Sequence, residues 1–389
     1  MRDKSFNILL IASWYPSKDH PTTGSFVQEQ AQMLRDFGHQ VIVIHPFMHG
    51  TFLNSITKRP YINFTLEDGI QVLRVGVSPP IPFFRGISYS YCFYWVQKAM
   101  KKFDIDVKQF NVIHSHAMFM GGVIGYYLSK KHKVPQVHTE HTSGLIFNRK
   151  QYTKNDMRIT KKIYMQCYKV LFVSGFALKQ IIAYFGLKSK DTFVVLPNMV
   201  DDAFFLTPLH SHTKDDPFKF LVIGNFIPIK NHHLLLDAFK LAQKEIPTVA
   251  LTIAGNGPLE KELRAICEFQ KLKNVTWLPR LNRTEVKEQM AAHQAILSTS
   301  RLETFGLTIA EAQAMGKPVV VTDSGGVQDI VTVDTGIITE SNSEAFSSGL
   351  LKLIQSYNSF DSEKIRHLTK SRFASKEIIH RLNEIYKSA

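Results

Sequence analysis

Short apolar runs alternate with stretches of helical period along most of this chain. In the first half, residues 7–12, 40–44, 112–116, 136–138, 170–174 and 193–196 are apolar segments of strand length. Residues 24–37, 121–131, 158–168 and a run ending at Phe185 space their apolar side chains for helices. Strand followed by helix, repeated, predicts a parallel, doubly wound sheet. The alternation restarts at 218–223 and continues through 248–254, 275–278, 295–298, 318–322 and 336–338, with helices near 232–243, 259–271, 283–293, 307–315 and 327–331. Two Rossmann-like α/β domains are therefore expected, residues 1–205 and 206–371. Residues 199–217, rich in Pro and polar side chains and without periodicity, read as the linker. Past Ser371, the residues Ile378, Ile379, Leu382, Ile385 and Tyr386 share one broad face of a last helix.

Composition adds limits. A chain of 389 residues, 44% hydrophobic and 21% charged, supports two domains with their own cores. Cys92, Cys167 and Cys267 lie far apart and form neither a disulfide framework nor a metal or redox pair, which fits a reducing cytoplasm. The apolar run near the N-terminus is too short to span a membrane and lacks a signal-cleavage pattern, so it reads as the first strand.

The formal charge of +14 is uneven: residues 1–210 carry 25 Lys and Arg against 13 Asp and Glu, and residues 211–389 carry 22 against 20. Basic clusters at Lys98/Lys101/Lys102, at Lys130/Lys131/Lys133 and across 149–169 form either a solvated face or one that meets an anionic membrane surface; no motif points to nucleic acid. Residues 88–103 pose the choice most sharply. Their aromatics either enter lipid headgroups beside the three lysines or pack into the domain itself.

The chemistry concentrates at 301–326, where Glu303 and Glu311 stand eight residues apart around a loop-to-helix junction. Phe305 and Gly306 fall at the turn, amides near Gly306 and Leu307 face an anion, and Glu311 sits a turn inside the helix, where a carboxylate accepts bonds from a ribose diol. Glu303, on the loop, would hold sugar hydroxyls. The competing reading makes Thr308-Ile-Ala-Glu311 a capping box that merely satisfies backbone donors. Two histidine groups, His114-Ser-His116 and His138-Thr-Glu-His141, end successive strands. A zinc site is one reading, opposed by the alternation of side chains across a strand, and a core or supporting role for His114 and His138 is the other. Gly24 either brings backbone amides close to a ligand or is an ordinary loop glycine before a helix. Lys230 either holds a phosphate or is a surface lysine before a helix.

The 301–326 segment resembles the signature of the retaining GT-B glycosyltransferases of family 4: two glutamates with seven residues between them, Phe-Gly inside, Ala-Met-Gly-Lys-Pro-Val and a closing Gly-Gly. Similarity to that family continues in order along nearly the whole chain. Trp14 to His39 resembles its opening loop and helix, Val170–Ser174 its strand ending in serine, and Val194–Asp201 its Pro-Asn-Gly-Val-Asp turn, with Met199 in place of glycine. Phe220–Asn231 resembles its phosphate loop, where Lys230 matches the lysine, Asn225 stands at the usual arginine and Asn231 at the usual glycine.

The resemblance implies a GT-B fold, two facing Rossmann-like domains with a cleft between them, and a last helix (372–389) crossing back to the first. It implies a metal-independent hexosyltransferase without cofactor, moving a sugar from a nucleotide-diphosphate donor to a saccharide or lipid-linked acceptor in cell-envelope polysaccharide synthesis, in the cytoplasm or on the inner face of the cell membrane. Carried onto this chain, the catalytic residues are His141, Glu303 and Lys230. Donor binding falls to Gly24, Asn225, Lys230, Phe305, Gly306, Leu307 and Glu311, with Trp277 to Leu281 flanking the base. A non-catalytic glycan-binding subunit and a nucleotide-sugar epimerase are the alternatives; loss of a cation at Asn225 favours the former, and intact Lys230, Glu303, Glu311 and His141 oppose it.

Overall fold

The computed structural model describes residues 5–20, 23–50, 59–80, 85–208 and 217–389. Most of the expected linker, residues 209–216, and residues 21–22 of the opening loop lie outside the described residues. The chain divides into two compact units, residues 1–199 with 378–389, and residues 200–377.

In the first unit, strands β1 (Asn7–Ala12), β2 (Gln40–Met48), β3 (Tyr61–Glu67), β4 (Ile70–Val77), β5 (Val112–His116), β6 (Gln136–Glu140), β7 (Lys169–Phe172) and β8 (Phe193–Val195) form one sheet. Its order is β3-β4-β2-β1-β5-β6-β7-β8. All pairings are parallel except the hairpin β3–β4. Helices cover both faces, so β1 is apolar almost throughout: Ile8 and Leu10 join one core, Leu9 and Ile11 the other. The hairpin was absent from the expected elements. Its signal is Asp68-Gly69, both at positive φ (47° and 79°), the geometry of a tight two-residue turn.

Packing bears on the choice posed by residues 88–103. The aromatic segment forms helix Arg85–Lys102, but Tyr89, Cys92, Val96, Ala99 and Met100 are buried, and Tyr91, Phe93, Trp95 and Phe103 pack against the same unit's core. Lys98 lies over the Trp95 ring and Lys102 over Phe103. Most of the aromatic side chains of this helix therefore pack against the protein itself, and Tyr94 stays exposed. No helix among the described residues is long and apolar enough to cross a membrane. The last helix, Ser375–Lys387, buries Ile378, Ile379, Leu382 and Tyr386 in the core that contains Ile8 and Leu10. Met199, at the family's glycine position, is packed in that core as well.

The second unit holds β9 (Lys219–Ile223), β10 (Ala250–Ala254), β11 (Val275–Leu278), β12 (Ala295–Ser298), β13 (Val319–Thr322) and β14 (Gly336–Thr339), all parallel, in the order β11-β10-β9-β12-β13-β14. Two helices missing from the expected set, Ser343–Gln355 and Ser362–Phe373, complete it. The expectation for 200–205 also changes. Asp201 caps a short helix, Asp202–Leu206, by accepting from the Ala203 amide, and burial of Phe204 and Phe205 ties this stretch into the second unit.

Candidate active site

The strand β9 leads through Gly224 and Asn225 into a turn at Pro228–Lys230 and then into helix His232–Glu245. Asn231 bridges turn and helix at φ 53°, ψ 44°. That left-handed position explains the family's preference for glycine there, and asparagine is among the side chains that tolerate it. The turn is fastened to the loop after β12: Arg301 donates its amide to the Ile229 carbonyl (2.8 Å) and Thr299 Oγ1 donates to the Lys230 carbonyl (3.1 Å). The fastening brings Lys230 Nζ within 2.5 Å of Glu303 Oε1, which also accepts from Ser300 Oγ at 2.9 Å.

Glu303 is held from behind. Its amide donates to the Ser324 carbonyl, and its own carbonyl accepts from the Gly326 amide. The Asp323-Ser-Gly-Gly turn therefore acts as a backbone clamp on the loop carrying this carboxylate. Three residues later, Gly306 stands at φ 104° immediately before helix Leu307–Ala314. An L side chain is strained in that conformation. Because the helix begins at Leu307, Thr308 lies inside it and no side chain caps it, so the capping-box reading fails.

Lys230, Glu303, Gly306 and Leu307 line one cavity of about 220 Å³, together with Gly224 and His232. The positive end of the helix, a cation and a carboxylate thus share one wall system within the second unit.

Other expected residues lie elsewhere. Asn225 is exposed and is not part of the cavity wall. The Phe305 side chain is buried with its edge against Phe373, centroids 5.5 Å apart, so only its backbone is available to the turn. Trp277 packs against Phe226 and lies beneath Arg264. Glu311 is buried and paired with Arg283, whose guanidinium lies 4.8 Å from the centre of the Phe204 ring and 4.0 Å from Asp201. Desolvation raises the Glu311 pKa and Arg283 opposes that rise. Sequence reading missed Arg283, which no local pattern marks.

In the first unit, the histidines separate by face and partner. His114 uses Nδ1 toward the Tyr386 hydroxyl (2.6 Å) and Nε2 toward Thr139 (2.7 Å). His138 uses Nδ1 toward Ser115 (2.9 Å) and Nε2 toward Glu140 (3.2 Å). Desolvation works against ionising Glu140, but hydrogen bonds from His138, the Thr142 amide and Tyr164 hold its carboxyl below the usual range. His141 Nε2 meets His116 Nδ1 at 3.1 Å, the two rings stack, and the Phe26 ring packs against His141 with centroids 4.5 Å apart. Burial lowers the His141 pKa to about 3, so the ring is neutral. His116 is also held neutral by burial, and its Nε2 has no partner among the described residues. Among the described residues, no three His, Cys, Asp or Glu side chains are arranged to hold a metal.

Phe26 comes from the helix Ser25–Asp36, which starts after Gly24 at φ 74°. A Cβ at Gly24 would stand 2.3 Å from the Trp14 carbonyl oxygen, so the close approach there is between two backbone segments of the protein.

Residues 23–204 match the model of glycosyltransferase family 4, and residues 210–370 match that of glycosyl transferases group 1. An uncharacterized glycosyltransferase of Methanocaldococcus jannaschii is 27% identical over 269 residues, 68% of this chain and 70% of the relative. Mannosylfructose-phosphate synthase of Agrobacterium fabrum is 26% identical over 265 residues, 60% of this chain and 58% of that protein. The crystal structure of Anabaena HepE in complex with UDP and glucose superposes with a TM-score of 0.73 at 19% identity, covering 99% of this chain and 100% of the other. At that identity the superposition speaks for the fold, two parallel-sheet α/β units of the GT-B type. With one family model over each half, and the paired glutamates set around a helix start in the second, the chain belongs to the GT-B glycosyltransferases of family 4.

Proposed function

We propose that this glycosyltransferase moves a hexose, with retention of anomeric configuration, from a nucleotide-diphosphate sugar to a hydroxyl of a saccharide or lipid-linked acceptor, without a metal or cofactor. The observation that carries the reading is the Lys230–Glu303 pair on a cavity beside the Gly306 helix start. The donor diphosphate would meet Lys230 and the amides at Leu307. As the glycosidic bond breaks, the leaving phosphate gains negative charge, and a cation and helix terminus already in place stabilise it by several kcal/mol. Glu303, released from Lys230 by the incoming phosphate, would accept hydrogen bonds from the sugar hydroxyls. The acceptor hydroxyl attacks from the face that the phosphate leaves, and a phosphate oxygen takes its proton, so no protein nucleophile is needed. Glu311 would hold the ribose with the carboxylate that Arg283 orients. His141, neutral at physiological pH, would offer one hydrogen bond to the transferred sugar or the acceptor.

HepE has been crystallised with UDP-glucose, and relatives include a poly(glycerol-phosphate) glucosyltransferase of Bacillus subtilis. Those proteins support a donor panel led by UDP sugars; the acceptor we propose belongs to cell-envelope polysaccharide or glycolipid synthesis, on the cytoplasmic side, a reading that rests on the family resemblance and the basic first half of the chain. The test is release of nucleoside diphosphate from UDP-, GDP- and ADP-sugars with and without saccharide and polyol acceptors, with product anomers assigned by NMR. Acceptor-dependent release with retention supports the reading. Binding without turnover for every donor in the panel overturns it in favour of a binding subunit.

A further inference from the structure

His232 is the first residue of the helix His232–Glu245, two positions after Lys230. It is 1% exposed, lines the cavity with Lys230 and Glu303, and has no hydrogen-bond partner on either ring nitrogen among the described residues. Its ring contact is the edge of Phe226, centroids 5.2 Å apart and nearly perpendicular, which supplies packing and no polar group. His114 and His138, equally buried, satisfy both nitrogens within the chain. A buried polar group left without a partner is destabilising, so a cavity-lining imidazole in that state is poised for a partner from outside the chain.

We propose that His232 is a donor-binding residue whose imidazole N–H hydrogen-bonds a phosphate oxygen of the nucleoside diphosphate held at Lys230. The inference rests on the donor-site reading above. Three features select a phosphate over a sugar hydroxyl. Lys230 places a cation two residues away, the 14-residue helix directs its N-terminal amides to this end, and Gly224 adds no side chain to the cavity wall. Burial, reinforced by the Lys230 charge, lowers the His232 pKa to about 4, so at neutral pH the ring carries one N–H donor and one lone pair. A neutral donor beside a lysine complements an anion without adding a second charge to desolvate.

The test uses the full chain and whichever of UDP, GDP or ADP binds best, measured by calorimetry, with the matching nucleoside measured by ligand-observed NMR. His232→Ala is expected to weaken the diphosphate about tenfold and the nucleoside less than about twofold, the difference of one hydrogen bond to a charged group. His232→Gln, which keeps an N–H, is expected to recover most of that loss, whereas His232→Leu, of similar bulk, does not. Comparing Gln with Leu preserves the test if the alanine variant fails to fold. Should none of the three diphosphates bind the wild type, the donor-site reading falls and this inference with it. Should the wild type bind and Lys230→Ala weaken it, while His232→Leu and His232→Gln bind the diphosphate alike, or lose nucleoside and diphosphate equally, His232 is a packing residue and the proposal alone is overturned.

Discussion

Removing Arg283 isolates the buried Glu311 carboxylate, and the consequence can be worked through. Breaking a buried pair by deleting one partner costs about 3–5 kcal/mol when both charges are desolvated. Here the Glu311 side chain is 5% exposed but that of Arg283 is 39% exposed, so solvent already screens one member. A loss of about 2 kcal/mol is the reasoned value for Arg283→Ala, or about 4–8 °C in the melting of a unit of this size. The loss should depend on pH. Desolvation already raises the folded pKa of Glu311, and removing its cation raises it further. A carboxyl whose folded pKa lies above its unfolded value binds more protons when folded, so stability falls as pH rises from the unfolded value through the folded one. Arg283→Ala should therefore lie closer to the wild type at pH 5 than at pH 8. Arg283→Ala/Glu311→Gln, which removes the stranded charge, should recover much of the loss at pH 8. Thermal melts of the three proteins at both pH values provide the measurement. Equal destabilisation of Arg283→Ala at both pH values, with no recovery in the double variant, would refute the reasoning and reduce the pair to a surface contact.

Three further outcomes are expected. Lys230→Ala should lower transfer at least about a hundredfold and Glu303→Gln at least about tenfold, with circular dichroism unchanged; near-normal turnover in folded Lys230→Ala removes the phosphate assignment. Dialysis against EDTA should leave activity intact, and activity restored only by stoichiometric zinc would overturn the metal-free mechanism. Gly24→Ala should destabilise the protein by more than about 2 kcal/mol, because a Cβ there collides with the Trp14 carbonyl at a positive φ; an unchanged melting temperature would show that the loop yields freely.

Sequence carried a good deal of this molecule because its strands are buried on both faces. Continuous apolar runs such as Ile8–Ala12 and Val319–Val321 leave little ambiguity about strand position, and the strands' order along the chain implied the parallel sheets. The placement of Glu303 on a loop and Glu311 in a helix followed from Gly306, whose positive φ ends one conformation and admits the next. What escaped were relations between residues distant in sequence. Arg283 reaches Glu311 across 28 positions, and nothing adjacent to either announces the pairing. The same holds for the aromatic helix Arg85–Lys102, whose composition suits lipid and core alike; only the opposing surfaces of β4 and its neighbours decide between them. Helices Ser343–Gln355 and Ser362–Phe373 were overlooked for a different reason: they belong to no motif with chemistry, although Asn342 and Asp361 cap them in the ordinary way.

The return of residues 378–389 to the first unit sets an order of events during synthesis. Ile8 and Leu10 leave the ribosome before the second unit, yet Ile379, Leu382 and Tyr386, which share their core, follow all of it. At about 5–20 residues per second, that interval lasts on the order of twenty to seventy seconds. The unit that begins first is thus the one that closes last, and it waits with an apolar face open while the inserted unit, whose ends meet where the Val200 amide donates to the Phe373 carbonyl, has all of its own chain available to fold.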